Sequence, residues 1–179
     1  MSGASEFGAG GGLVWTQPKV MRRAYELKKG EELVGEMRFE KSCGSLASAQ
    51  IGEERWTFKR EGFLHPRVTV RGAKSGANVA VFHPSWSGTG VLEYVDGRRV
   101  RWRNTNFWRS DWSFLGEDEK AMVHFRNHGG FMKISANVEI EPENTGMVDL
   151  PMLAALGWYL MLLTAEDASA VAVSVAAIS

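Results

Sequence analysis

The chain has 179 residues, which is enough for one domain with a packed core and without stabilising disulfides. Its 21 Lys and Arg residues balance 21 Asp and Glu residues, which argues against a generally basic nucleic-acid-binding protein. A single cysteine, Cys43, excludes an internal disulfide and a cysteine-based zinc site. Residues 1–12 lack the basic and apolar regions of a secretory signal, so we interpret them as a flexible leader or a cloning remnant and expect a cytoplasmic protein.

Residues 13–141 alternate between apolar and polar side chains, with a turn signal every 8 to 12 residues. The runs Arg55–Lys59, Arg67–Arg71 and Asn78–Phe82 are typical. Alternation with one polar face indicates an antiparallel sheet, because strands buried on both faces are apolar throughout. We predict about twelve strands, joined mostly by tight glycine-containing turns.

The strongest hairpin signal is Asp96-Gly97. This dipeptide favours a two-residue type I′ turn, in which both central residues have positive φ. A turn of that type would place Arg99 opposite Tyr94, and Arg101 opposite Leu92.

The pattern changes near residue 148, where a long apolar segment begins. Asp149 is a good helix N-cap, and residues 150–163 contain no charged side chain. A helix that is apolar on every side must be buried on every side, and about 16 residues fall short of the 20 that span a bilayer. We therefore predict a helix over 149–165 enclosed by a closed barrel, within one domain over 13–167. Residues 168–179 form an apolar tail, either an extra strand, a packed segment or a disordered end.

About twelve antiparallel strands followed by one apolar helix, Asp149–Leu163, resemble the tubby C-terminal-like superfamily. That superfamily includes the LURP-one-related proteins and the phospholipid scramblases. The resemblance implies a closed β-barrel threaded by a hydrophobic helix near the C-terminus. It also implies contact with anionic phospholipid headgroups through basic surface residues, although it assigns that contact to no individual position.

The densest basic run is Arg98–Arg103 on a predicted strand. Alternation places three of its arginines on one face, where guanidinium groups could bind phosphate bidentately or stack on a ring. The competing interpretation is a solvated strand face with ordinary ion pairs. The candidate ligand-binding residues are Arg99, Arg101, Arg103, Arg109, Tyr94 and Trp108.

Aromatic side chains are dense just after this strand, and they have two interpretations. They could form a ligand-stacking wall or an interfacial membrane patch, or they could belong to the barrel core. The residues are Trp102, Phe107, Trp108, Trp112 and Phe114.

Signals for catalysis and for metal binding are weak. His124 and His128 are four residues apart, but on a predicted strand and turn rather than on one helix face. The sequence contains no nucleophile elbow, phosphate-binding loop or dinucleotide motif. We expect no catalytic residue, metal or other cofactor, although an enzyme whose site is assembled from distant strands stays possible.

The sequence favours a non-enzymatic binding or adaptor module that contacts anionic phospholipid headgroups or a protein partner. This protein would be peripheral to the membrane, without a transmembrane span and without nucleic acid as a partner. One alternative is a barrel that carries a small apolar ligand, which requires an open interior. Another is a tail-anchored membrane protein that uses residues 148–165.

Overall fold

A computed structural model describes residues 7, 12–20, 22–106, 110–128, 134–144, 147 and 149–176 of the chain, with helix side chains as far as residue 172. The predicted fold class is confirmed: the chain forms a closed barrel of twelve antiparallel strands with one C-terminal helix. The strands are β1 Leu13–Thr16, β2 Ala24–Lys29, β3 Glu32–Phe39, β4 Ala47–Ile51, β5 Glu54–Glu61, β6 Arg67–Gly72, β7 Asn78–Pro84, β8 Gly90–Tyr94, β9 Arg99–Asn104, β10 Asp111–Leu115, β11 Ala121–Asn127 and β12 Ser135–Ile140. A short 3₁₀ turn, Pro142–Asn144, precedes the helix α1, Leu150–Ala176.

The barrel has the simplest possible order, because every strand pairs with its neighbours in sequence. Strand β1 closes the sheet against β12, with Leu13 opposite Val138 and Trp15 opposite Ala136. Closure pairs the backbone groups that an open sheet would leave free at its edges. Alternate side chains along each strand point inward, as Trp56 and Phe58 do on β5.

The first half of α1 fills the barrel. Residues 150–163 are all buried, and two polar groups join this segment to the wall. The indole Nε1 of Trp15 donates to the carbonyl of Ala154 at 3.2 Å, and the Tyr159 hydroxyl donates to the carbonyl of Ser45 at 2.6 Å. Helix and wall are so close at Gly157 that a Cβ there would lie 2.3 Å from the Phe125 ring. The interior that an apolar-ligand carrier would need is therefore occupied by the helix.

The helix is longer than the sequence indicates, and the predicted C-terminal boundary is wrong. It begins at Leu150 and continues to Ala176, rather than ending at residue 165. Most of the predicted tail, residues 168–176, is thus helical instead of an extra strand or a disordered end. Alanine is the best helix former, and no glycine or proline follows Pro151 and Gly157 to stop the helix.

The β8–β9 hairpin also differs from expectation. Glu93, not Tyr94, lies opposite Arg99, and Val91 lies opposite Arg101. The loop has three residues, because the Tyr94 amide donates to the Arg98 carbonyl and only Gly97 has positive φ, +88°. A three-residue loop with its glycine in the left-handed region shifts the pairing by one residue relative to a type I′ turn.

The up-and-down order divides the connections between two ends of the barrel. The helix enters at the end formed by connections 30–31, 52–53, 73–77, 95–98, 116–120 and 141–149, which we call the helix-start end. It emerges among connections 17–23, 40–46, 62–66, 85–89, 105–110 and 128–134, the helix-exit end.

Three predicted features fall outside the described residues. They are the candidate ligand-binding residues Trp108 and Arg109, the neighbouring Phe107, and most of the proposed leader over residues 1–12. Within that leader, Phe7 is described and is buried against the core cluster.

Candidate docking surface at the helix-exit end

Three large apolar side chains project into solvent from two loops of the helix-exit end. Phe63 is 98% exposed and Leu64 is 82% exposed in the β5–β6 loop, and Trp86 is fully exposed in the β7–β8 loop. Strands β5 to β8 are consecutive in the barrel. The two loops therefore rise from strand pairs about 10 Å apart along one rim. Several exposed apolar side chains of this size near one another typically mark an interaction surface.

Local structure holds these side chains outward. Gly62 has φ +85°, and a Cβ there would lie 2.5 Å from the His65 carbonyl oxygen, so the β5–β6 loop folds tightly back on itself. In the β7–β8 loop the hydroxyls of Ser85, Ser87 and Thr89 bond to one another at 2.7–3.0 Å. This triangle closes the base of the loop and leaves Trp86 at its tip.

The second half of α1 emerges beside these loops. Every described residue from 164 to 172 is exposed, including Val171 at 64%. No charged residue occurs from 168 to 179. The polar group of Ser169 is satisfied inside the helix, because its hydroxyl donates to the Ala165 carbonyl at 2.9 Å. This segment is thus an apolar helix that lies in solvent, and its Ser169 hydroxyl is hydrogen-bonded within the helix.

A collar of ion pairs holds the helix where it leaves the barrel. Arg23 pairs with Glu166, and Arg60 donates from Nη1 to both carboxylate oxygens of Asp167 at 2.9 and 2.7 Å. The Arg23 guanidinium also donates to the Gly44 carbonyl at 2.8 Å and stacks over Phe39. The two acidic residues of the emerging helix are therefore neutralised at the rim.

The two ends carry different charge. The described connections of the helix-start end contain nine acidic residues and three basic ones, whereas those of the helix-exit end contain one acidic residue and four basic ones. At the helix-start end the acidic residues are Glu31, Glu53, Asp96, Glu117, Asp118, Glu119, Glu141, Glu143 and Asp149, and the basic ones are Lys74, Arg98 and Lys120. At the helix-exit end the bases are Lys19, Arg22, Arg23 and Lys41, and the acid is Glu40. Among these, Lys19, Arg22 and Lys41 form no ion pair with any described residue.

The three β9 arginines predicted as a ligand-binding row lie on the outer wall of the barrel, between its ends. Arg99 pairs with Glu93 at 3.2 Å, and Arg101 pairs with Glu119. Arg103 is exposed, lies opposite Ser113, and makes no ion pair with a described residue. The structure thus places these arginines together, but two of the three guanidinium groups already bind carboxylates.

Tyr94 is separated from that row because its ring points into the barrel, where it is 4% exposed. Arg98, rather than Arg99, stacks on the ring at 4.4 Å and bonds to Asp149 at 2.6 Å and Asp96 at 2.8 Å. Burial raises the pKa of the Tyr94 hydroxyl well above its usual range, and hydrogen bonds from Arg98 lower the pKa of Asp96. These residues secure the start of the helix against the rim.

The described residues of the aromatic stretch that begins on β9 all point into the barrel. Trp102, Trp112 and Phe114 are buried, and the two tryptophan rings stack at 5.3 Å. These three side chains belong to the barrel core, which is one of the two interpretations of the aromatic stretch given by the sequence. Sequence reasoning missed Phe63, Leu64 and Trp86 because an isolated apolar residue in a loop has no periodicity to show which way it points.

A serine, a histidine and an aspartate meet on the outer wall. Ser113 Oγ lies 2.7 Å from His124 Nδ1, while His124 Nε2 lies 3.9 Å from Asp111. The second distance is too long for a hydrogen bond, and Ser113 is only 1% exposed. A nucleophile must reach its substrate, so this cluster serves packing rather than catalysis. Across the described residues, no group of three or more His, Cys, Asp or Glu side chains could hold a metal ion.

A shallow depression of about 380 Å³ lies on the wall over β3 to β5. Its polar lining comprises Glu36, Arg38, Ser48, Gln50 and Arg55. The Gln50 amide is already bonded to the Gly52 carbonyl at 2.9 Å. With one carboxylate and two guanidinium groups, the lining has a net charge of only +1.

No family model, curated protein or solved structure matches this chain. The similarity to the tubby C-terminal-like superfamily accordingly stays a prediction made from the order of elements. Within the described part of the chain, no helix combines the length and the hydropathy needed to cross a membrane.

Proposed function

We propose that this protein is a non-enzymatic binding module that docks on an anionic phospholipid surface through its helix-exit end. The observation that carries the proposal is the exposure of Phe63, Leu64 and Trp86 at one rim, beside the uncharged emerging helix. Tryptophan and other large apolar side chains favour the boundary between lipid headgroups and acyl chains.

Charge supports the same orientation. Lys19, Arg22 and Lys41 lie on the β1–β2 and β3–β4 loops of the same end and have no ion-pair partner among the described residues. Each basic residue near an anionic leaflet contributes about 1 kcal/mol, so three contribute about 3 kcal/mol, or roughly a hundredfold in affinity. The acidic helix-start end would be repelled by the same surface, so it faces away.

The test is vesicle co-sedimentation of the detergent-free protein. Neutral phosphatidylcholine vesicles are compared with vesicles that also contain an anionic lipid, either phosphatidylserine or a phosphoinositide, at low and high salt. We expect binding to the anionic vesicles to exceed binding to neutral ones by roughly a hundredfold and to weaken as salt screens the rim. Equal sedimentation with and without anionic lipid would contradict the role of the basic residues.

A second comparison separates the helix-exit end from the β9 arginine row. Replacing Arg99 and Arg101 with Glu reverses charge on the wall and leaves the rim unchanged. If that double variant loses vesicle binding while a variant of the rim loops keeps it, the wall is the binding surface and the proposed orientation is wrong.

A further inference from the structure

We infer that the emerging part of α1 inserts among the acyl chains of one leaflet, so that the protein is anchored in the hydrocarbon layer as well as at the headgroups. This inference rests on the proposed function, because it requires the helix-exit end to face a membrane. It adds a distinct binding partner for that end: the interior of a single leaflet.

The length of the uncharged segment supports insertion into one leaflet. From Ala168 to Ala176 the helix has nine residues, which rise about 13 Å at 1.5 Å per residue. One leaflet contributes about 15 Å of hydrocarbon. Asp167 is the last charged residue before this segment and is bound to Arg60, so the charge boundary coincides with the rim.

The chemistry of the segment is compatible with hydrocarbon. From residue 168 to residue 172 the backbone carbonyls are paired with amides four residues later in the helix, which is what lipid demands. The hydroxyls of Thr164 and Ser169 donate to the carbonyls of Leu160 and Ala165, both at 2.9 Å. On insertion, the exposed Val171 side chain would move from water into contact with acyl chains. The free energy of that transfer is favourable in proportion to the apolar surface area removed from water.

The loops beside the emerging helix set the depth to which it inserts. Phe63, Leu64 and Trp86 lie on one side of the rim from which the helix emerges, and tryptophan prefers the interfacial layer. The Arg23–Glu166 and Arg60–Asp167 pairs lie at that same level and hold the helix in the barrel. With the loops at the interface, residues beyond 167 extend toward the leaflet interior.

The test measures the water accessibility of one introduced cysteine. In a background with Cys43→Ser, Val171→Cys is reacted with a charged, water-soluble maleimide, with and without anionic vesicles at a lipid excess that sediments over nine tenths of the protein. The matched control is Val95→Cys, which is 74% exposed at the helix-start end. At position 171 only unbound protein should react, so vesicles should slow labelling there at least about tenfold. Position 95 stays in water in the bound protein, so its labelling rate should not change.

The outcomes separate the two proposals. Sedimentation with protection at 171 alone supports insertion. Sedimentation with position 171 still reactive overturns insertion and leaves headgroup docking standing. Protection at both positions indicates aggregation on the vesicles and also overturns insertion. A protein that sediments with no vesicle overturns the proposed function and this inference together.

Discussion

The two ends of the barrel use apolar and charged residues in opposite ways. At the helix-start end, acidic loops surround the start of α1, and Arg98 joins Asp96 and Asp149 over the Tyr94 ring. At the helix-exit end, the uncharged β5–β6 and β7–β8 loops carry Phe63 and Trp86 into solvent, neighbouring loops are basic, and the helix continues past the rim. A protein that needed only a closed core could have had charged, ion-paired loops at both ends. This difference is the basis of the proposal that the helix-exit end contacts an apolar surface.

The same contrast occurs within α1, whose first half is buried and whose second half is exposed. Leu156→Asp puts an unpaired carboxylate into the barrel and should cost more than about 4 kcal/mol, enough to unfold the domain. The same substitution at exposed Val171 should change the free energy of unfolding by no more than about 0.5 kcal/mol. Denaturant unfolding followed by tryptophan fluorescence measures both. A folded Leu156→Asp protein would show that the helix does not hold the core together.

A smaller effect is expected where helix and wall are in closest contact. Gly157→Ala places a Cβ 2.3 Å from the Phe125 ring, so overpacking should cost about 1–3 kcal/mol despite the better helix propensity of alanine. The control is Gly12→Ala, whose Cβ would meet no atom within 4 Å. Thermal unfolding of the pair checks this, and equal melting temperatures would mean that the helix shifts freely inside the barrel.

Removing the contacts at either end of the buried helix should change the free energy of unfolding by smaller amounts. Arg98→Gln removes two carboxylate contacts and the stacking on Tyr94, and should cost about 1 kcal/mol. Arg60→Gln breaks one exposed pair at the helix-exit end and should cost less than about 0.5 kcal/mol. Both values come from denaturant unfolding at low salt. A larger loss from Arg60→Gln would show that the collar, not the helix start, holds the helix in place.

Acid should weaken the helix-start contacts through Asp96. Its pKa is lowered by hydrogen bonds from Arg98, so the stability it provides is complete above its unfolded pKa of about 3.9 and disappears as pH falls through the lower folded value. A carboxyl-detected NMR titration should find the Asp96 pKa low in the wild type and raised toward the unfolded value by Arg98→Gln. An unchanged pKa in that variant would exclude Arg98 as the cause.

Most of the fold could be predicted from sequence because burial imposes a period. Alternation at Trp56 and Phe58 indicates a sheet with one buried face, and the uncharged run 150–163 needs burial on every side, which a barrel around a helix provides. The β8–β9 register could not be predicted in the same way. Asp96-Gly97 is compatible with two-residue and three-residue loops, and only the backbone shows that Gly97 alone has positive φ.

The candidate surface was harder to predict for a different reason. Arg99, Arg101 and Arg103 form a conspicuous basic run, yet two of them already bind carboxylates, one across the hairpin at Glu93 and one in the β10–β11 loop at Glu119. Phe63 and Trp86 lie in loops, where no periodicity separates a core residue from an exposed one. The only available signal was their position between Gly62 and Pro66, and between Ser85 and Gly88, all typical turn residues.

The most direct measurement compares apolar truncation at the two ends. One variant replaces Phe63, Leu64 and Trp86 with Ser. Its matched control replaces Val95 of the helix-start end and Leu33 at the adjacent start of β3, also with Ser; these are the two most exposed large apolar residues there. Both should unfold like the wild type, since all five side chains are exposed. In co-sedimentation with anionic vesicles, only the first variant should lose binding, by at least about tenfold. Equal binding by both variants would contradict membrane docking through the helix-exit end.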